Sequence, residues 1–222
     1  YEKREFKKIL YPLKDTFTHR IYYKTFELDE LSAQNKLEIH LGGGWYVQDE
    51  RIAEGEMQYG DRVKCIYSIA FDDRTVNSDG SESWRQSEIV FSNIFIGEII
   101  DPTIQSEERK VIVLDNPKSQ LCPEIGPADR EIRTVKPQKI GNIYDVGENI
   151  SGYVRIKTKA GYKGTVTLRF SEEIKEGELD FGSTGHSQVT SSGKQQIMTD
   201  KFICDGSERV FQPKFVWHCF RY

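Results

Sequence analysis

The chain has 222 residues, of which 31 are Lys or Arg and 35 are Asp or Glu, giving a net charge of −4. Neither half concentrates basic residues as a nucleic-acid-binding face requires, and no run approaches the roughly 18 apolar residues of a membrane-spanning helix, so neither partner is expected. Hydrophobic residues make up 37% of the chain and aromatic residues 12%, which suits one large or two ordinary globular domains.

Short segments rich in β-branched and aromatic residues recur along the chain, separated by turn-forming residues. The predicted strands cover residues 20–28, 36–41, 63–71, 88–94, 110–114, 153–158, 164–171 and 196–204. A short helix fits residues 28–33. Strands without helical periodicity between them favour an all-β fold made of antiparallel sandwiches.

The strand pattern lapses between residues 116 and 137, where four prolines interrupt hydrogen-bonded pairing. We place a linker there and predict two consecutive antiparallel β-sandwich domains, residues 1–124 and 125–222. The last twelve residues, 211–222, alternate like a strand up to the end of the chain, so we expect a piece of a larger protein.

The four cysteines lie far apart and have no CxxC or Cys/His ligand spacing, which argues against a zinc site. Free thiols are typical of a reducing compartment. The first eight residues are charged rather than signal-like. A cytoplasmic location is therefore favoured, and secretion stays open because the N-terminus is itself expected to be shortened.

Three segments of the first half resemble a known module: LGGGWY at 41–46, SWRQS at 83–87 and FSNIFIGEIID at 91–101. Their order and spacing resemble the GNGWY turn, the DxSW stretch and the YxGExYD segment of the N-terminal sandwich of bacterial α-L-rhamnosidases of glycoside hydrolase family 78. Gly43 stands where that family often has asparagine, and residues 1–10 have no convincing counterpart to its first strands.

The second half matches more closely. YDVGENISGYVR at 144–155 resembles the family's DFGQNxxGWVR, and GTVTLRFSE at 164–172 resembles its GxxVxLRxAE. QPKFVWHCFRY at 212–222 is similar to PRFTYHGFRY, with Cys219 at a position that is usually glycine. Several motifs in the same order are more specific than any one of them.

The resemblance implies jelly-roll or concanavalin-like sandwiches that precede an inverting (α/α)6 catalytic barrel, acting on rhamnose-containing glycosides. Inversion requires a carboxylic acid and a carboxylate roughly 6.5 to 9.5 Å apart, and in this family both belong to the barrel. No catalytic residue is therefore assigned to this chain, which is expected to be inactive alone. The alternatives are a rhamnose-binding module, with or without calcium, and a purely structural support of the enzyme or its dimer, the oligomeric state being left open.

Two sets of side chains are candidates for binding. Trp45, Tyr46 and Trp84 could stack on the apolar face of a sugar, although aromatic residues beside glycine turns more often pack the core or its rim. Asn93, Glu98 and Asp101 could supply oxygen ligands to calcium, or could shape a turn through hydrogen bonds. No cofactor is expected, and calcium is the candidate ion.

The C-terminal motif offers a third set, His218, Arg221 and Tyr222. His218 has no nucleophile or carboxylate partner nearby in the sequence, so a core or interface position is favoured over catalysis. Together with Arg221 and Tyr222, it is predicted to face the downstream catalytic domain.

Overall fold

The computed structural model describes residues 14–15, 20–28, 31–44, 47, 62–94, 96–115, 119–127, 129–182 and 197–222, with the backbone alone at 14–15. Within these ranges the chain forms 19 strands and no helix, which confirms the all-β prediction. No helix long and apolar enough to cross a membrane occurs among them.

The strands are, in chain order, β1 (Lys14–Asp15), β2 (Arg20–Tyr23), β3 (Ser68–Ala70), β4 (Thr75–Asn77), β5 (Ser83–Trp84), β6 (Ile89–Asn93), β7 (Gly97–Ile100), β8 (Arg109–Lys110), β9 (Gln120–Pro123), β10 (Gln138–Ile140), β11 (Ile143–Asp145), β12 (Ile150–Gly152), β13 (Ile156–Lys157), β14 (Lys163–Arg169), β15 (Glu173–Lys175), β16 (Glu178–Asp180), β17 (Thr199–Asp205), β18 (Val210–Phe211) and β19 (His218–Phe220).

The chain divides into two compact units. Unit 1 comprises Tyr1–His40 and Ile112–Thr134, and unit 2 comprises Leu41–Val111 and Val135–Tyr222. The domain boundary predicted near residue 124 stays a prediction.

Unit 1 contains one three-stranded sheet of order β1-β2-β9. β1 and β2 are antiparallel, whereas β2 and β9 run parallel, which the roughly 100 residues between them allow. Just beyond these strands, the ammonium of Lys24 lies 2.9 Å from the carboxylate of Glu124.

Unit 2 is built around a four-stranded sheet of order β14-β17-β7-β6. β14 and β17 pair antiparallel over seven residues, and β7 pairs antiparallel with β6. Between them β17 and β7 run parallel, with Phe202 opposite Ile100. The central sheet therefore combines strands from both sides of the predicted linker.

The core of unit 2 lies on one face of this sheet. Along β17 the buried residues alternate with exposed or half-buried ones, as expected when one face of a strand packs inward. Two apolar clusters share that face: Ile89, Ile100, Phe202, Cys204 and Phe211 in the first, and Phe170, Met198 and Phe220 in the second.

Two sequence predictions are wrong. Residues 36–41 alternate apolar and polar side chains, yet they form no strand, and both sets of side chains are exposed. The described part of the expected helix at 28–33 is irregular. There the Ser32 amide and the Asn35 side chain bond locally, which competes with helix formation.

Candidate functional site

A cluster of polar side chains lies inside unit 2, at the point where β7, β17 and the C-terminal segment meet. Its principal members are Glu98, Asp200 and His218, with relative exposures of 0%, 0% and 1%. Burying charged groups costs several kcal/mol unless they are hydrogen-bonded or paired. The contacts of each member therefore define what the cluster can do.

Glu98 faces the core because it lies two residues before Ile100 on the same face of β7. Its carboxylate accepts hydrogen bonds from the backbone amide of Lys214, at 2.9 and 3.2 Å, and from that of Phe215, at 2.8 Å. The residue before Lys214 is a proline, which has no amide hydrogen to donate. Glu98 thus fixes the start of the C-terminal segment to β7.

Asp200 occupies a core-facing position of β17, two residues before Phe202. Its Oδ1 atom accepts a hydrogen bond of 2.9 Å from the amide of Glu98 and lies 3.1 Å from Nε2 of His218. Its Oδ2 atom is buried without a hydrogen-bond partner. One carboxylate oxygen therefore joins β7 and β19 to the central strand.

The ring of His218 is enclosed on its remaining sides. Its Nδ1 atom lies 3.2 Å from Sδ of Met198, and its ring stacks on that of Phe170 with centroids 4.2 Å apart. Sequence reasoning overlooked Asp200 and Met198. The available signal was the alternation of residues 198, 200, 202 and 204, which puts an aspartate on the apolar face of its strand.

Gly97 allows β7 and β17 to approach closely beside the cluster. A Cβ atom at this position would lie 2.1 Å from the carbonyl oxygen of Thr199 and 2.7 Å from Oδ1 of Asp200. The backbone there also has a φ of +137°, a conformation that glycine adopts without strain. Only glycine fits between the two strands.

The structure places the three predicted calcium ligands in different surroundings. Asn93 is buried at the end of β6, and the carboxylate of Glu98 is bound to backbone amides. Asp101 accepts hydrogen bonds from the amide and hydroxyl of Thr103, at 2.9 and 2.6 Å, as in a local turn. Among the described residues, no group of three or more His, Cys, Asp or Glu is arranged to hold a metal ion. Calcium binding stays a prediction.

Of the predicted sugar contacts, Trp45 and Tyr46 lie outside the described residues. Trp84, on β5, has a relative exposure of 47%, and the Arg109 guanidinium lies 5.8 Å from the centre of its ring. The glycine turn that precedes Trp45 packs on an aromatic ring, since a Cβ atom at Gly42 would lie 2.6 Å from the ring of Phe215.

The three predicted interface residues, His218, Arg221 and Tyr222, also lie in different surroundings. His218 is buried within unit 2, where it contacts the side chains described above. Arg221 donates from Nε and Nη2 to the two carboxylate oxygens of Asp145, at 2.9 and 3.1 Å. This fork and the amide of Gly147 hold the pKa of the Asp145 carboxyl below its usual value. Tyr222 is half-buried, and its backbone pairs with that of Ser171. An interface with a further domain stays a prediction.

Comparison with known proteins gives two matching family models. The model of the alpha-L-rhamnosidase N-terminal domain matches residues 3–134, and that of the bacterial alpha-L-rhamnosidase concanavalin-like domain matches residues 134–222. Two curated relatives carry the name alpha-L-rhamnosidase: a protein of Streptomyces avermitilis, 23% identical, and one of Alteromonas sp., 25% identical. The alignments cover 93% of this chain but only 22% and 24% of the relatives.

Solved structures share the fold. The native α-L-rhamnosidase of Aspergillus terreus matches with a TM-score of 0.63 and 22% identity, covering 82% of this chain and 23% of that one. The Streptomyces avermitilis α-L-rhamnosidase complexed with L-rhamnose matches with a TM-score of 0.62 and 22% identity, covering 80% and 19%. The chain therefore spans about a quarter or less of the length of the relatives it matches.

Proposed function

Because the chain belongs to the α-L-rhamnosidase family, we propose that it forms a non-catalytic β-sandwich region of an enzyme that releases terminal α-L-rhamnose from glycosides with inversion. The observation that carries the proposal is the coverage: nearly the whole chain aligns with less than a quarter of each relative. The remaining length of such a protein would contain the catalytic barrel.

The buried cluster supports a structural rather than a hydrolytic role. Glycoside hydrolysis needs two carboxyl groups that reach a glycosidic bond and, in an inverting enzyme, a water molecule between them. Glu98 and Asp200 are fully buried, and the carboxylate of each accepts a hydrogen bond from a backbone amide. In this role, the cluster fastens the C-terminal segment to the central sheet.

An aryl α-L-rhamnoside assay tests the proposal. The 222-residue chain should release no nitrophenol from p-nitrophenyl α-L-rhamnopyranoside, whereas a version extended at its C-terminus to the length of the relatives should hydrolyse it with inversion, as followed by proton NMR. Turnover by the 222-residue chain would overturn the proposal. So would a stop codon shortly after Tyr222 in the gene, since the barrel would then have no coding sequence.

A second candidate function is sugar binding by unit 2, favoured by the half-exposed ring of Trp84. A flat aromatic ring that remains partly exposed offers stacking area to the apolar face of a pyranose. Titration of the chain with L-rhamnose, in calcium and in chelator, should then quench tryptophan fluorescence, and Trp84→Ala should abolish the change. Trp45→Ala, at the other predicted tryptophan contact, shows whether that ring contributes to the change as well. Calorimetric titration should also detect heat of binding. If millimolar L-rhamnose gives no heat in either buffer, sugar binding is excluded, while the proposed role as a non-catalytic region of the enzyme is unaffected.

A further inference from the structure

Trp84 and Arg109 lie on the same face of the short antiparallel ladder that β5 and β8 form in unit 2. The two residues are opposite each other in the register, and opposite residues of paired strands project to one face. Ser83 and Lys110 form the neighbouring pair, which projects to the other face. The side chain of Trp84 has a relative exposure of 47%, and Arg109 is exposed as well. An aromatic ring and a cation are therefore presented together to solvent.

The contact between the two side chains is loose. The Arg109 guanidinium lies 5.8 Å from the centre of the Trp84 ring, close to the limit of about 6 Å for a cation–π interaction. Such contacts at exposed sites contribute little to stability. The guanidinium therefore leaves ring area on Trp84 open, and its own N–H donors remain available to a ligand.

Arg109 differs from the other arginines that lie over aromatic rings. Among the described residues there are three of these, and each has its guanidinium paired with a carboxylate: Arg74 with Asp73 at 3.2 Å, Arg209 with Glu88 at 3.2 Å and Arg221 with Asp145 at 2.9 Å. Within the described ranges the guanidinium of Arg109 contacts no carboxylate. The anion that accompanies the other three pairs is missing from this one.

The nearest carboxylates of the two strand segments have other partners. Glu108, the residue before Arg109, accepts a hydrogen bond from the hydroxyl of Ser83, on the face opposite to Trp84. The carboxylate of Glu82 accepts a hydrogen bond of 2.7 Å from the hydroxyl of Tyr67. Neither acid neutralises Arg109, so its charge stays available to an anion from outside the chain.

Hydrogen bonds on both sides of the pair hold the two side chains in place. Towards one end of the ladder the Val111 amide donates to the carbonyl oxygen of Glu82, at 3.4 Å. Towards the other end the Gln86 amide donates to the hydroxyl of Ser106, at 2.8 Å. The backbone of β5 and β8 is thus fixed across Trp84 and Arg109, and a ligand would meet a site whose backbone is already formed.

A pyranose that carries a carboxylate matches both groups. The C–H face of a sugar ring packs on an indole, and the planar fork of an arginine binds a carboxylate through two parallel charge-assisted hydrogen bonds. A neutral pyranose would use the ring alone and leave the guanidinium without an anion. The pairing of an open ring with an unneutralised arginine therefore favours an acidic sugar over a neutral one.

We propose that Trp84 and Arg109 form a binding site for an acidic pyranose, the hexuronate unit of an oligosaccharide, with the sugar ring on Trp84 and the carboxylate on Arg109. The inference rests on the second candidate function, sugar binding at Trp84, and adds the class of sugar and the residue that selects it. It does not depend on the catalytic role proposed for the rest of the protein.

A pair of matched ligands tests the proposal on the 222-residue chain. Methyl β-D-glucuronide and methyl β-D-glucoside share the same ring and differ in a carboxylate against a hydroxymethyl group. Nitrogen-15 NMR titration follows the indole N–H signal of Trp84, identified by its disappearance in Trp84→Ala. The glucuronide should bind about fivefold more tightly than the glucoside at low salt, as expected for one exposed ion pair. About 1 M NaCl should remove most of this difference because it screens the charge.

Two arginine variants locate the preference. Arg109→Gln should remove it, so that both ligands bind alike. Arg74→Gln is the matched control, since Arg74 also lies over an aromatic ring, that of Phe71, but already has Asp73 as its partner. This control should keep the wild-type preference. A preference for the glucuronide that survives Arg109→Gln would overturn the assignment.

The remaining outcomes separate this inference from the functions proposed above. Equal affinity of the wild type for the two sugars would refute the acidic-sugar site and leave sugar binding at Trp84 standing. Tighter binding of methyl β-D-glucoside 6-sulfate than of the glucuronide would also refute it, because the anion would then not be a carboxylate. If neither sugar shifts the Trp84 signal, both the site and the second candidate function are overturned, whereas the proposed non-catalytic role is decided by the rhamnoside assay.

Discussion

The carboxylate of Glu98 accepts a hydrogen bond of 2.8 Å from the backbone amide of Phe215, 117 residues further along the chain. A second bond, from the amide of Lys214, completes the attachment. Glu98 lies within the first predicted domain and Phe215 within the second, yet both belong to the same compact unit. A single buried side chain therefore connects two distant segments of sequence.

Glu98→Gln should lower the free energy of unfolding by about 2 kcal/mol, because the amide group of glutamine presents a donor towards backbone amides that also donate. Urea unfolding at neutral pH measures the change. Glu88→Gln is the matched control: Glu88 is half-exposed and paired with Arg209, so its replacement should cost less than about 1 kcal/mol. Equal losses of stability in the two variants would show that the buried carboxylate of Glu98 contributes no more to stability than the half-exposed ion pair of Glu88.

Gly97→Ala should lower the free energy of unfolding by more than the addition of a single methyl group suggests. The added methyl group would overlap the carbonyl oxygen of Thr199 on the neighbouring strand, and the positive φ adds strain. We expect a loss of about 3 kcal/mol of unfolding free energy, measured by thermal or urea unfolding. At Gly126 a Cβ atom would meet nothing within 4 Å, so Gly126→Ala should leave stability within about 0.5 kcal/mol. A stable Gly97→Ala variant would contradict the close approach of β7 and β17.

The best-predicted strands are those whose alternating apolar side chains pack against other apolar side chains. The predicted strands at 164–171 and 196–204 correspond to β14 and β17, which pair with each other over seven residues. Residues 36–41 alternate equally well and form no strand, because periodicity describes an amphipathic segment and not whether an apolar partner exists. Pairing partners were the less predictable part. Nothing local specifies that β17 lies beside β7, about 100 residues earlier.

The buried cluster shows which part of a site a sequence can reveal. Asp200 was detectable, since a period of two places it on the same face as Phe202 and Cys204. His218 was singled out with a core or interface position favoured, and the structure buries it, but its pairing with Asp200 was not predictable because it depends on how β19 reaches the central sheet. Glu98 was singled out as a calcium ligand, which stays a prediction; its hydrogen bonds from the main-chain amides of Lys214 and Phe215 were not predictable, because main-chain amides carry no side-chain signature in a sequence.

Acid should weaken the link between Asp145 and Arg221. Since the pKa of Asp145 is lowered in the folded state, its contribution is fully present above the unfolded value of about 3.9 and is lost as the pH falls through the lower folded value. The thermal midpoint of the wild type should therefore exceed that of Asp145→Asn at pH 6, and the gap should shrink as the pH falls below 4. Asp129→Asn, which removes an exposed aspartate from unit 1 by the same substitution, is the matched control. A constant gap for Asp145→Asn would mean that the fork with Arg221 does not form.

The four cysteines are free, and their surroundings predict different reactivity. Cys204 is buried in the core beside Phe202, and burial raises the pKa of its thiol, so both access and thiolate content are reduced. Cys219 lies on the outer face of β19 and is exposed. Mass spectrometry after brief alkylation at pH 8 should find Cys219 modified and Cys204 unmodified, with Cys204 reacting once urea is added. Cys219→Ser should remove the label at that position, whereas Cys204→Ser should leave the labelling of Cys219 unchanged. Rapid alkylation of Cys204 in the native chain would show that β17 is not the buried centre of unit 2.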